Sequence, residues 1–319
     1  MQEKQLCALL GAGSIGGLID NPQSSNIASH AHALSQHPLC ELVAIVEPNA
    51  QNQQEFIKRW GKVKVYSDFE ALLAHEKIDV LIIATPTHYH ASLLQKALHV
   101  KSIKTILCEK PFVSNHTELE SLQNAILRSD KKILINLMRE YDPSFMLLAE
   151  KIKSDLFGKA LHFQGIFTKG LLHNGIHMLG IISQFFGDIT QIQPLHVKKS
   201  NDDLSGDFEL TCKDTKGLLH CLENPPYSAF ELSIWFENGK IEIREGGNKI
   251  EILKKVASSL YEGYFSLIHQ ETLPNTLNSY ALHSLEFALK SDDVVCKKIL
   301  QRHISLHEKI FETINKENL

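Results

Sequence analysis

The sequence predicts an α/β unit built on a parallel sheet, followed by an α+β unit with a mostly antiparallel open sheet. Three observations carry that reading. From residue 6 to about residue 136, short apolar runs alternate with helix-patterned segments, the alternation that sets parallel strands beneath crossover helices. A glycine-rich hexapeptide, Gly11-Ala12-Gly13-Ser14-Ile15-Gly16, directly follows the first run. Beyond residue 190, strand-like runs succeed one another through polar turns such as Glu237-Asn238-Gly239 with no helix between them, the pattern of an antiparallel sheet.

Element by element, the expected strands of the first unit are 6–10, 42–46, 64–66, 80–84, 105–108 and 133–135. Between them, residues 91–98 carry apolar side chains at three-to-four spacing, and Asn115 with Glu118 has the form of a capping box. Asp142-Pro143 opens a helix running to about Lys153, with proline at its first position. A strand at 160–168 and a helix at 176–186 come next, then strands at 191–198, 208–212, 218–223, 230–236, 240–244 and 249–253. Near the C-terminus, Cys296, Ile299, Leu300, Leu306, Ile310, Phe311 and Ile314 form the apolar stripe of a helix and read as core. A chain of 319 residues, 43% hydrophobic and 22% charged, suits two domains: residues 1–136 for a dinucleotide, residues 137–319 for substrate binding and oligomerisation. The cleft between the two is the expected ligand site.

Composition also excludes. A net charge of −4 offers no basic field for nucleic acid or an anionic membrane. The apolar runs are too short to span a bilayer, and the first residues lack a secretory pattern, so a cytoplasmic protein is expected. Its six cysteines are scattered without zinc-site spacing and are expected to be reduced and buried.

The glycine motif has the context that a dinucleotide fingerprint requires. Gly11 permits the tight turn, Gly13 lets the backbone approach a pyrophosphate, and Gly16 allows close packing, while amides at the helix start, at Ser14 and Ile15, face the phosphates. Glu47 closes the second strand, where a carboxylate accepts from the adenosine ribose hydroxyls and repels a 2′-phosphate. No arginine occurs in Pro48-Asn49-Ala50, so NAD is expected over NADP. About thirty residues separate Gly16 from Glu47 where about twenty are usual. Asn21-Pro22-Gln23-Ser24-Ser25-Asn26 therefore reads as an inserted loop that either covers the cofactor or decorates the surface, with the helix resuming near Ser29.

Glu109-Lys110-Pro111 follows the fifth apolar run, where a lysine reaches both cofactor and substrate, and a cis Lys110-Pro111 peptide would aim it. With this motif stand Ala84-Thr85-Pro86-Thr87-His88-Tyr89-His90, Arg139-Glu140-Tyr141-Asp142-Pro143 and Lys169-Gly170-Leu171-Leu172-His173-Asn174-Gly175-Ile176-His177. In that order they resemble the Gfo/Idh/MocA family of sugar and cyclitol oxidoreductases over nearly the whole chain. The resemblance implies a loop beside the nicotinamide containing Thr85, Pro86, His88 and His90, with Glu109 and Lys110 completing the cofactor contacts. It implies Lys110 and His177 as catalytic residues, and His173, Asn174 and Arg139 as substrate contacts, although a salt bridge accounts for Arg139 equally well. His173 stands where many members carry an aspartate, and Gly180 replaces another. A branch with His-Asn-Gly-x-His is similar and is associated with surface-sugar biosynthesis.

Oxidising a secondary alcohol needs a hydride acceptor and a group that removes the hydroxyl proton. Either a neutral His177 takes the proton while the Lys110 ammonium polarises the hydroxyl, or a desolvated Lys110 is itself the base. No metal is expected: His173 and His177, four apart, lack the glutamate of a His-Glu-x-x-His site and a third ligand. His30, His32 and His37 read as helix-surface or interface residues. The expected substrate is a sugar or sugar nucleotide, the alternatives being a free cyclitol or aldose, or a non-catalytic sensor of sugar or dinucleotide. A homodimer or homotetramer through the C-terminal sheet is expected, because residues 230–236 offer apolar groups read as lying on both faces.

Overall fold

In the computed structural model, which describes residues 3–200, 203–213 and 215–316, the short apolar runs of the first unit pair side by side. β1 (Gln5–Leu10), β2 (Cys40–Val46), β3 (Lys64–Tyr66), β4 (Val80–Ile83), β5 (Thr105–Cys108) and β6 (Lys132–Ile135) form one sheet in the order β3-β2-β1-β4-β5-β6. Every pairing in it is parallel. α1 (His30–Gln36), α2 (Ala50–Trp60), α3 (Phe69–His75), α4 (His90–Leu98) and α5 (His116–Arg128) connect the strands. Burial on both faces explains why β4 and β5 read as unbroken apolar runs. The strand order reverses between β1 and β4, which makes the carboxyl ends of these two strands the switch point where such sheets bind ligands. The Asn115 side chain caps α5 by accepting from Glu118 N, and Glu118 Oε2 in turn accepts from Ser114 N.

The second unit contains α6 (Pro143–Lys153), β7 (Ala160–Thr168), α7 (Ile176–Phe186), β8 (Ile189–Ser200), β9 (Asp203–Cys212), β10 (Thr215–Leu222), β11 (Phe230–Phe236), β12 (Gly239–Arg244), β13 (Lys249–Ala257) and β14 (Phe265–Thr272). Its strands lie in the order β14-β13-β12-β11-β7-β10-β9-β8. The β7–β10 pair is parallel and the remaining neighbours are antiparallel. Burial alternates strictly along β11: Phe230, Leu232, Ile234 and Phe236 all face inward, while Glu231, Ser233 and Trp235 face the other way. Trp235 thus places an apolar group on the second face, as expected, while the other members of that face, Glu231 and Ser233, are polar. Exposed apolar side chains occur elsewhere on the sheet, at Leu161, Leu195 and Leu218, and around the β13–β14 turn at Tyr261, Tyr264 and Phe265.

The division between units also differs from the two continuous blocks expected. The first unit runs to Tyr141 and regains Asn278–Ile304, which holds α8 (Tyr280–Lys290) and the start of α9 (Asp293–Lys316). Packing explains the return. Ala281, Leu285 and Ala288 repeat at helical spacing on α8 and join one core cluster with Cys7, Leu9, Ala33 and Leu34. Lys132 Nζ then donates to the carbonyls of Leu289 and Ser291 at 3.3 and 2.7 Å, closing the end of α8.

All six cysteines are free and buried. No helix among the described residues is long and apolar enough to cross a membrane.

Candidate functional site

Where β1 ends, the chain turns sharply because Gly11 adopts φ +91° and donates its N–H to Val46 O at 2.8 Å. A Cβ on Gly11 would stand 2.6 Å from Ala84 O, so the close approach of this turn to the end of β4 depends on Gly11, and one on Gly16 would stand 2.1 Å from Gly11 O, so the packing of the following helical turn against the end of β1 depends on Gly16. A Cβ on Gly13 would meet nothing within 4 Å, which leaves that stretch of backbone open to a ligand's approach. This is the arrangement a pyrophosphate needs, and it is the observation on which these residues fit a dinucleotide. The helix that follows is only the turn Ser14–Leu18.

Glu47 lies buried beside this turn, its Oε2 accepting from Ala12 N and its Oε1 from Asn49 N, each at 2.9 Å. One lone pair on each oxygen remains for a hydroxyl. The inserted residues after Leu18 are tied down within their own unit. Asp20 accepts from the amides of Ala28 and Ser29, from the Ser29 hydroxyl and from His32 Nδ1. Burial pushes the Asp20 carboxyl up, but the bonds from Ser29, Ala28 and His32 outweigh it and hold the group below its ordinary value. His30, His32 and His37 are all buried, which corrects their reading as surface residues. The first two face the carboxylates of Glu109 and Asp20, and His37 lies against Cys40.

After β4, Thr85 and the exposed Pro86 and His88 lead into α4. The His90 ring is buried, with Nε2 at 2.7 Å from Thr85 O and Nδ1 at 2.8 Å from Pro111 O, so it fastens the β4 and β5 loops together. Glu109 is likewise turned inward: its Oε1 lies 2.8 Å from His30 Nε2 and 2.6 Å from Asn136 Nδ2. Burial raises the Glu109 carboxyl, but His30, Asn136 and the charge of Lys110 bring it below the usual range. Lys110 is half-buried and its bond to Pro111 is cis, as expected. Burial pushes the neighbouring Cys108 thiol well up, which disfavours a thiolate.

Arg139 is buried in the turn Met138–Tyr141, and its charge partly offsets the burial that pushes the Tyr280 phenol up to about 12. The adjoining Glu140 pairs with Arg302 and with His303 Nε2, the latter at 3.0 Å.

In the second unit, Lys169 and Gly170 take φ of +69° and +81° as the chain leaves β7 and enters the wide turn Leu171–Gly175 ahead of α7. Asn174 Nδ2 donates to Thr168 O at 2.9 Å, fastening this turn to the strand end. His173 and His177 do not share an environment: the His173 side chain is 53% exposed, whereas His177 is 5% exposed in the first turn of α7. Behind His173 stands Asp203, at the start of β9, with Oδ2 at 2.8 Å from His173 Nδ1. Sequence reasoning missed Asp203, Asp20 and the partners of Glu109, because each contact joins residues distant in the chain or unmarked by any motif. Among the described residues no group of three or more His, Cys, Asp or Glu is placed to hold a metal ion.

Residues 7–137 match the family model described as "Oxidoreductase family, NAD-binding Rossmann fold". An inositol 2-dehydrogenase of Rubrobacter xylanophilus is 25% identical over 178 residues, covering 54% of this chain and 47% of that protein. The chain spans about half the length of the curated relatives it matches. Among solved structures, an Agrobacterium radiobacter oxidoreductase in complex with NAD+, L-tartaric acid and magnesium superposes with a TM-score of 0.73 at 15% identity, over 98% of this chain and 97% of the other. KijD10, a 3-ketoreductase from Actinomadura kijaniata in complex with NADP and TDP-benzene, gives 0.74 at 16% identity over 98% of each chain. At such identities the likeness to both shows the fold.

Proposed function

We propose that this chain, whose N-terminal unit belongs to the Gfo/Idh/MocA oxidoreductase family, moves a hydride between a nicotinamide and a secondary hydroxyl of a sugar or sugar nucleotide. The observation that carries the reading is the switch point itself: the open Gly13 backbone, the Glu47 carboxylate and the half-buried Lys110 all follow the carboxyl ends of strands in one parallel sheet. A bound nicotinamide dinucleotide would supply the hydride acceptor. Gly11, Gly13, Ser14, Ile15 and Gly16 would hold its pyrophosphate, and Glu47 its adenosine ribose, which favours NAD over NADP. Thr85, Pro86 and His88 line the loop assigned to the nicotinamide side. Lys110 and His177 are carried as the candidates for proton handling, with His173, Asn174 and Arg139 as candidate substrate contacts.

A second substrate class, a free cyclitol or aldose, is favoured by the likeness to inositol 2-dehydrogenase. We place the protein in the cytoplasm and read its C-terminal sheet as the contact of a homodimer or homotetramer. Reduction of NAD and NADP by the purified protein, followed across a library of cyclitols, aldoses and sugar nucleotides, tests enzyme against sensor and separates the substrate classes. Tight dinucleotide binding with no reduction by any member would favour the sensor.

A further inference from the structure

We propose that His30 is a positioning residue for Lys110, acting through Glu109. The inference rests on the dehydrogenase reading, in which Lys110 handles a proton, and every residue it uses lies in the first unit. β4, β5 and β6 are neighbours in the sheet; Glu109 directly follows β5 and Asn136 directly follows β6. The Glu109 side chain is only 12% exposed. Its Oε1 lies 2.8 Å from His30 Nε2 and accepts from Asn136 Nδ2 at 2.6 Å, while Oε2 lies 3.4 Å from the backbone N–H of Lys110. A carboxylate held below its usual range is ionised at neutral pH and only accepts, so His30 must carry a proton on Nε2 and Asn136 must present its amide nitrogen.

Both choices leave a polar atom stranded. His30 Nδ1 and Asn136 Oδ1 are buried without a hydrogen-bond partner among the described residues. Unpaired buried polar atoms cost stability, and a clasp serving only to hold α1 against β5 would be more stable built from apolar side chains. The cost is borne where it fixes one group, the carboxylate joined to Lys110. His30 is itself fixed from behind: it is 1% exposed and opens α1 directly after Ser29, whose side chain accepts from His32 N. Asp20 accepts from the amides of Ala28 and Ser29 and from the Ser29 hydroxyl. Ile27 donates to Asn278 O at 2.7 Å and accepts from Ala281 N at 3.3 Å. The stretch inserted after Leu18 thus sets where the imidazole stands.

The pinned carboxylate acts on Lys110 in two ways. It restrains the backbone from which the lysine side chain projects, which narrows the positions open to the ammonium. Opposite charges also favour each other, so an ionised Glu109 favours the charged lysine. The other titratable groups that feel this carboxylate are Cys108 in the same segment and Tyr280 of α8, whose thiol and phenol are pushed up first by burial and then by its charge.

The test is kinetic, with NAD and the best substrate of the library, on the unaltered protein, His30→Gln, His30→Asn, Lys110→Ala and the double variant of the last two. Glutamine brings an amide nitrogen to the place of Nε2, whereas asparagine is too short. His30→Asn should lower kcat by about tenfold to a hundredfold with KM and NAD affinity little changed, and His30→Gln should recover most of that loss. In the Lys110→Ala background His30→Asn should cost nothing further, because the residue it positions is gone. Nitrogen NMR of histidine-labelled protein, with His30 assigned by its loss in His30→Gln, should find Nε2 protonated. Normal kcat in His30→Asn, equal losses in the two His30 variants, a loss that recurs in the Lys110→Ala background, or an unprotonated Nε2 would each overturn the proposal. So would weakened NAD binding in His30→Asn, the mark of a role in the fold alone. Should His30→Asn fail to fold, Glu109→Gln decides in its place, with the same kcat loss and the same absence of further loss beside Lys110→Ala expected. An unaltered protein that turns over no substrate sinks the dehydrogenase reading, whereas turnover accompanied by any of the contrary results sinks the positioning role alone.

Discussion

Replacing Glu140 by glutamine should destabilise the first unit by about 3 kcal/mol at neutral pH and abolish part of its acid sensitivity. The Glu140 side chain is 1% exposed and faces Arg302 and His303, the latter itself fully buried. Burial pushes the carboxyl up, but the charges of His303 and Arg302 outweigh it and hold the group at about 2, against an ordinary value of 4.5. At about 1.4 kcal/mol for each tenfold change in proton affinity, that difference favours the folded state by about 3 kcal/mol. Because the folded value is depressed, the contribution is fully present above about 4.5 and is lost as pH falls toward about 2. Removing one member of a buried ion pair costs about 3–5 kcal/mol by an independent route, in agreement with that magnitude.

Urea unfolding from pH 7 down to pH 2 checks this. Trp60 lies in the first unit and Trp235 in the second, so fluorescence in a Trp235→Phe background follows the first unit alone. The stability gap between the parent and Glu140→Gln should be widest at neutral pH and close as the solution is acidified. Subtracting one profile from the other removes the acid sensitivity due to Glu109 and Asp20, whose carboxyls are also held low. A gap that stays constant with pH, or no gap at neutral pH, would refute the reasoning.

NAD should bind more tightly than NADP, and Glu47→Ala should narrow the difference in titration calorimetry; equal or stronger NADP binding by the unaltered protein contradicts the assignment of Glu47. Lys110→Ala and His177→Ala should each lower turnover by about a hundredfold or more with dinucleotide binding nearly intact, and normal turnover in either removes that residue from proton handling. Sedimentation should show a dimer or tetramer that a charge at Leu161 or Leu218, both exposed on the C-terminal sheet, weakens; a monomer across micromolar concentrations overturns the oligomer.

What the sequence could say about the fold followed from which side chains are buried. β4 and β5 are buried throughout, so their apolar runs are visible within a few residues of chain. β14 escaped notice because all but one of its residues are exposed, which removes the alternation that marks a half-buried strand. The stripe on α9 was legible as a helix, but the return of its first turns with α8 to the first unit was not. Periodicity names the face that will be buried and is silent on which core will bury it.

The site divides in the same way. His90, Glu109 and Asn174 belong to motifs, yet each turns a polar atom inward to a carbonyl or a neighbouring side chain and so fixes backbone at a strand end. Motif membership there marks geometry. His173 and Asp203, thirty positions apart, likewise meet only in the folded chain, and nothing local ties them together. The one trace in the sequence is Gly170, whose missing Cβ admits the carboxylate, and a glycine beside a strand end more often serves only to turn the chain.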